Sequence, residues 1–165
     1  SKAPVTSEQT SMTASHGSHN SEATMRTSSA SVVLPLFVRG LAAAINGSDV
    51  NQIVTALQAV HSPNSGIFEF EILALSASMK NDHAKAIALM KQATSLEEAT
   101  SAPYGPPSLI KPSNELFGEI LLRAGKPAEA AEQFKISLRR QPNRTRSLQG
   151  LERADKHGSS KTDQR

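Results

Sequence analysis

The stretch Lys111–Arg144, KPSNELFGEILLRAGKPAEAAEQFKISLRRQPNR, decides how this chain is read. Pro112 opens a first helical run at a position where its missing backbone donor costs nothing. Leu116, Phe117 and Leu121 fit helical spacing, and Ala124-Gly125-Lys126-Pro127 then breaks the run with a turn that ends on a second helix-starting proline. The second run carries Ala130, Phe134 and Leu138 and stops at Pro142, which cannot continue a helix. Arg139 and Arg140 sit in its last turn, where cations complement the helix dipole. Gly118 and Ala130 are small enough to let two antiparallel helices approach closely, and Phe134 is large enough to fill the gap to a neighbouring unit. One such helix pair cannot bury its apolar face alone. It implies stacked neighbours and a binding surface rather than a reaction centre.

Working outward, Asn143 precedes a final helix from about Arg144 to Lys156, with Leu148, Leu151 and Ala154 on its packed side. The tail, residues 157–165, is polar and expected to be disordered. On the upstream side, Phe68, Ile72, Leu75 and Met79 follow helical spacing, Lys80-Asn81-Asp82 makes a turn, and a further helix carries Ala86, Ile87, Met90, Ala93 and Leu96 to about Glu98. Ala86, Met90 and Ala93 match Ala130, Phe134 and Ser137 in type, 44 residues earlier. The Pro-rich connection Ala99 to Lys111 accounts for the length of that interval and is expected to be an ordered, extended loop.

Further upstream, Val32–Ile45 is apolar apart from Pro35, Arg39 and Gly40. It is too short and too interrupted to span a bilayer, and Arg39 sits inside what would be the apolar stretch of a secretory leader. We read it as a buried helix that closes the stack. Asn46-Gly47-Ser48 then turns the chain, Asp49 caps a helix running to about Val60 through Ile53 and Leu57, and residues 61–66 form a break. Residues 1–31 are Ser/Thr-rich and aperiodic, the composition of a disordered segment.

Composition narrows the function further. The chain has 165 residues, five Phe, one Tyr, no Trp and no Cys, so disulfides and cysteine chemistry are excluded and the core must be aliphatic and closely packed. The net charge of +3 is uneven: residues 1–30 are neutral, residues 31–125 carry six basic against eight acidic side chains, and residues 126–165 carry ten against five. The basic end has Arg139, Arg140, Arg144 and Arg146 but no interleaved aromatics for base stacking, which disfavours nucleic acid as a partner. His16 and His19 lie three apart, yet Gly17 between them disfavours the helix that would preorganise them, so no metal is assigned. His61 and His83 lack a second ligand at metal spacing and are expected to face solvent. Ser113 and Ser147 have no nucleophile-elbow context, and no glycine-rich phosphate loop is present. Glu115 and Glu119, four apart on one helical face, read as a charged lining rather than an acid–base pair. No enzyme and no cofactor are expected. The stripe Phe68, Leu75 and Met79 has two readings, core if the preceding helices pack on it and an exposed patch if they do not.

Gly118, Ala130, Phe134 and Pro142, with Leu121 and the run from Gly125 to Ala130, resemble a tetratricopeptide repeat. The likeness is good over 112–156, moderate over 67–98 and poor over 32–62. Leu96-Glu97-Glu98-Ala99-Thr100, Gly105-Pro106-Pro107 and Pro112–Gly118 are similar to a group of bacterial-type repeat proteins with a Pro-rich insertion before their last full repeat. The resemblance implies an all-α fold, a right-handed helical solenoid of about seven helices over residues 32–156, whose first helices line a concave groove. By the same resemblance, the groove residues are Phe68, Glu71, Leu75 and Met79 from one unit and Glu115, Glu119, Leu122 and Arg123 from the next. One subclass grips acidic chaperone tails through Lys and Asn on this face; Glu115 and Glu119 stand where that clamp needs cations or amides. The implied function is a scaffold or adaptor holding a protein segment or peptide. The alternative is a capping and self-associating domain, a homo-oligomer, with no membrane partner.

Overall fold

The computed structural model describes residues 19–100 and 111–162, and within them seven α-helices and no strand. These are α1 (His19–Ile45), α2 (Asn51–Ala59), α3 (Ser65–Met79), α4 (His83–Thr100), α5 (Ser113–Arg123), α6 (Pro127–Arg140) and α7 (Thr145–Thr162). The breaks fall at the turn residues named above. The backbone of α1 is helical from His19, and that of α7 to Thr162. Both helices are anchored by packed residues, Val33, Phe37 and Ala44 in α1 and Ala154 in α7. Extending an already nucleated helix is cheap, so polar flanks follow an anchored segment even when their own propensity is poor. His16 and most of the Pro-rich connection lie outside the described residues.

Three hairpins, α1–α2, α3–α4 and α5–α6, end their first helix in the same way. Gly47, Asn81 and Gly125 all have positive φ, at 73°, 62° and 71°. One residue later, the N–H groups of Ser48, Asp82 and Lys126 each reach back to a carbonyl at 2.9 Å, those of Ala43, Ala77 and Leu121. This left-handed cap closes orphan carbonyls at a helix end and suits Gly or Asn. The three caps are 34 and 44 residues apart, and Gly40, Ala74 and Gly118 share those intervals. The same cap therefore recurs in the first hairpin, whose sequence is least like the other two. The next helix is capped in two cases by an aspartate: Asp49 accepts the N–H of Asn51 at 3.0 Å, and Asp82 that of Lys85 at 3.2 Å.

Each odd-numbered helix packs on the next, α1 on α3, α3 on α5 and α5 on α7, while α4 and α6 each lie against the odd helices on either side. One aliphatic core runs through these contacts from Val33 to Ala154. Phe37 of α1 stacks on Phe68 of α3 with ring centroids 4.1 Å apart, so the stripe on α3 is covered by the preceding helix. Phe134 of α6 is wholly buried against Gly118 of α5 and Gly150 of α7; a methyl group on Gly118 would lie 2.7 Å from the ring, and one on Gly150 nearer still. The glycines are what allow one aromatic to seat three helices. Leu148 does not join this packing and is 49 % exposed, whereas Leu151 is half-buried against the core.

Candidate partner-binding groove

Two buried glutamates fix how successive odd helices meet. Pro112 has no side-chain polar group to cap α5, so the task passes to carboxylates from α3 and α4. Glu97 accepts the Ser113 N–H at 2.7 Å, and Glu71 accepts the Ser113 hydroxyl at 2.8 Å. At the next junction, Glu115 of α5 accepts the Ser147 hydroxyl of α7 at 2.8 Å and a two-pronged hydrogen bond from the Arg144 guanidinium, with Nη2 at 3.0 Å. Ser147 also shares a hydrogen bond with Ser137 of α6 at 3.0 Å.

The electrostatics of the two differ. Burial pushes the Glu71 carboxyl up to about 8; the Ser113 hydroxyl opposes this, Glu97 adds to it and Lys111 opposes it weakly. Its Oε2 has no hydrogen-bond partner. At neutral pH Glu71 is therefore mostly a neutral acid. For Glu115, burial also pushes upward, but the hydrogen bonds from Arg144 and Ser147, with the charges of Arg144 and Lys111, outweigh it and hold the carboxyl below its ordinary value. Glu115 is a buried anion with its counter-charge in place.

The tie through Glu115 holds α5 and α7 side by side, and a cavity of about 500 Å³ opens between their outer faces. Glu119, Leu122 and Arg123 line it from α5, and Arg146, Gln149 and Arg153 from α7. Each set lies on one side of its helix by spacing of three, four or seven residues. Lys111 holds the Glu119 carboxylate at 2.9 Å. Arg153 makes a long hydrogen bond, 3.4 Å, to the carbonyl of Gln149 in its own helix. Arg123 and Arg146 make no ion pair among the described residues. The volume falls within the range of ordinary ligand pockets.

The eight residues expected at a groove thus separate into two groups. Glu119, Leu122 and Arg123 come together in this cavity. Phe68, Glu71, Leu75 and Glu115 are buried in the helix packing and present no surface to a partner, and Met79 is half-buried against the core. Their helical spacing is right, but the face they occupy is covered by adjacent helices. The α7 wall was missed, because Arg146, Gln149 and Arg153 fall within a polar, basic end that reads as a solvated helix. Their spacing of three and then four residues was the available signal. His83, expected to face solvent, is half-buried, and its Nδ1 has no hydrogen-bond partner.

No family model, curated protein or solved structure matches this chain. Among the described residues no three acidic or histidine side chains converge as a metal site, and no helix is long and apolar enough to cross a membrane.

Proposed function

We propose that this protein is an interaction module, a right-handed solenoid of tetratricopeptide-repeat type that holds a segment of another protein in the groove between α5 and α7. The observation that carries this reading is the division of labour along these two helices. Glu115, Ser147, Gly118 and Gly150 are consumed in joining them, while the outward-facing residues of the same helices line an open cavity. The recurring caps at Gly47, Asn81 and Gly125, separated by the 34-residue unit or that unit with its insertion, support the repeat assignment.

The test is site-specific photo-cross-linking. A photoreactive residue at Gln149 should link to one defined segment of a partner protein, and Leu122→Lys should abolish the link. A photoreactive residue at Glu132, on the exposed side of α6, should not link to that segment. Equal yields from Gln149 and Glu132 would defeat the reading.

A second reading, self-association, draws on α1. Val38 is 53 % exposed and Ile45 56 % exposed, and their spacing of seven places both on one outer side of α1. A concentration-dependent doubling of mass that Val38→Lys removes would favour it.

A further inference from the structure

Resting on the reading of the α5–α7 cavity as the binding groove, we propose that its occupant is an internal acidic segment of a protein, in which two carboxylates flank an apolar side chain. Of the four charged residues that line the cavity, three are arginines, and the only acid, Glu119, is already held by Lys111. The cations stand on both walls, Arg123 on α5 and Arg146 and Arg153 on α7. Their guanidiniums, being planar forks, suit bidentate capture of carboxylates.

Contrast with the paired cations elsewhere sharpens the assignment. Lys126, just before α6, meets Glu129 of that helix, Lys135 and Lys156 each meet a glutamate of their own helix, all at 2.6–2.8 Å, and Arg144 is consumed by Glu115. Arg123 and Arg146, by comparison, face the cavity without an ion pair among the described residues, although Glu119, Glu129 and Glu132 lie on α5 and α6. The groove thus carries an uncompensated positive field that a negative ligand would complete.

Spacing defines the ligand more closely. Arg146 and Arg153 are two helical turns apart, about 10 Å along α7. A ligand in the polyproline II conformation advances about 3.1 Å per residue with three residues per turn, so acids three positions apart lie on one side of it, about 9 Å apart, and would face the two arginines. Leu122 lies across from them and supplies the contact for an apolar side chain between those acids, while Gln149 offers an amide to the ligand backbone. A nucleic-acid strand fits less well, because the lining has no aromatic ring for a base and includes a carboxylate.

The test uses the full chain and short fluorescent peptides with both ends blocked, carrying a leucine between two glutamates three positions apart. The reference peptide has glutamines in place of the glutamates. Anisotropy should show the glutamate peptide binding about tenfold or more tightly than the glutamine peptide, with an affinity that falls as salt is raised. Arg146→Gln with Arg153→Gln should remove that preference, while Arg139→Gln, an exposed charge on α6, should leave it unchanged. Circular dichroism confirms that each variant is folded. Three results overturn the proposal. If both peptides bind alike and Leu122→Lys abolishes both, the groove reading survives and the acidic ligand does not. If neither peptide binds, the acidic ligand is wrong, and the cross-linking from Gln149 decides the groove separately. If a single-stranded oligonucleotide competes at the same arginines more tightly than the glutamate peptide, the surface is a site for nucleic acid.

Discussion

Glu71 and Glu115 occupy corresponding positions on α3 and α5, 44 residues apart, and each accepts a serine hydroxyl from the next odd helix. They are nonetheless opposites. Glu115 is an anion locked between Arg144, Ser147 and Lys111, whereas Glu71 is a carboxyl that burial keeps protonated, close to a second acid and with one oxygen unpartnered. One geometry serves two electrostatic solutions because the cation beside it differs. A buried carboxylate with a guanidinium fork is a fixed joint. The same carboxylate without one is a joint whose strength depends on its proton.

The largest expected effect comes from breaking the charged joint. Glu115→Ala leaves Arg144 without its buried counter-charge and should cost about 4 kcal/mol in urea unfolding at neutral pH. A loss below about 1 kcal/mol would show that the pair adds little. Because this tie sets α5 beside α7, cross-linking from Gln149 should fall with it.

The neutral joint should respond in the other direction. With a folded-state value of about 8 against an ordinary 4.5, Glu71 favours the folded protein fully only below about pH 4.5, and this contribution drains away as pH rises to about 8. Glu115 has the opposite sign: its contribution is present above its ordinary value of 4.5 and is lost on acidification below it. Glu71→Gln should therefore stabilise the protein at pH 8 by on the order of 2–3 kcal/mol and flatten the stability profile between pH 4.5 and 8. An unchanged alkaline limb would mean that Glu71 ionises freely in the folded state.

The serines give a finer test. Ser147→Ala removes a hydrogen bond to a charged acceptor and should cost about 2 kcal/mol; Ser113→Ala removes one to a mostly neutral acid and should cost about 1 kcal/mol at pH 7. Equal losses would erase the distinction between the two joints. The smallest effect belongs to Arg140→Gln. Its guanidinium is partly exposed and stands 3.5 Å from Glu97, so its removal should cost about 0.5 kcal/mol or less by thermal unfolding.

What was readable in advance follows a physical division. The helix ends were legible because left-handed caps and proline starts are local: Gly47, Asn81, Gly125, Pro112 and Pro127 restrict their own backbone whatever surrounds them. Phe134 and Gly118 were legible as a large–small pair, but Gly150, the other half of that socket, was not, because its need for smallness arises only when α7 docks.

The candidate groove shows the same split. Glu119, Leu122 and Arg123 could be chosen from one helix face, yet Glu71 and Glu115 looked equally suited to solvent, because helical spacing says which residues share a face and not what covers it. The sequence by itself determined an all-α fold, the turns between the helices of the described residues and a basic C-terminal end. Only the tertiary structure decided which acids are buried, which proton is retained and which arginines line a cavity, because burial, pairing and pKa depend on groups brought together from separate helices.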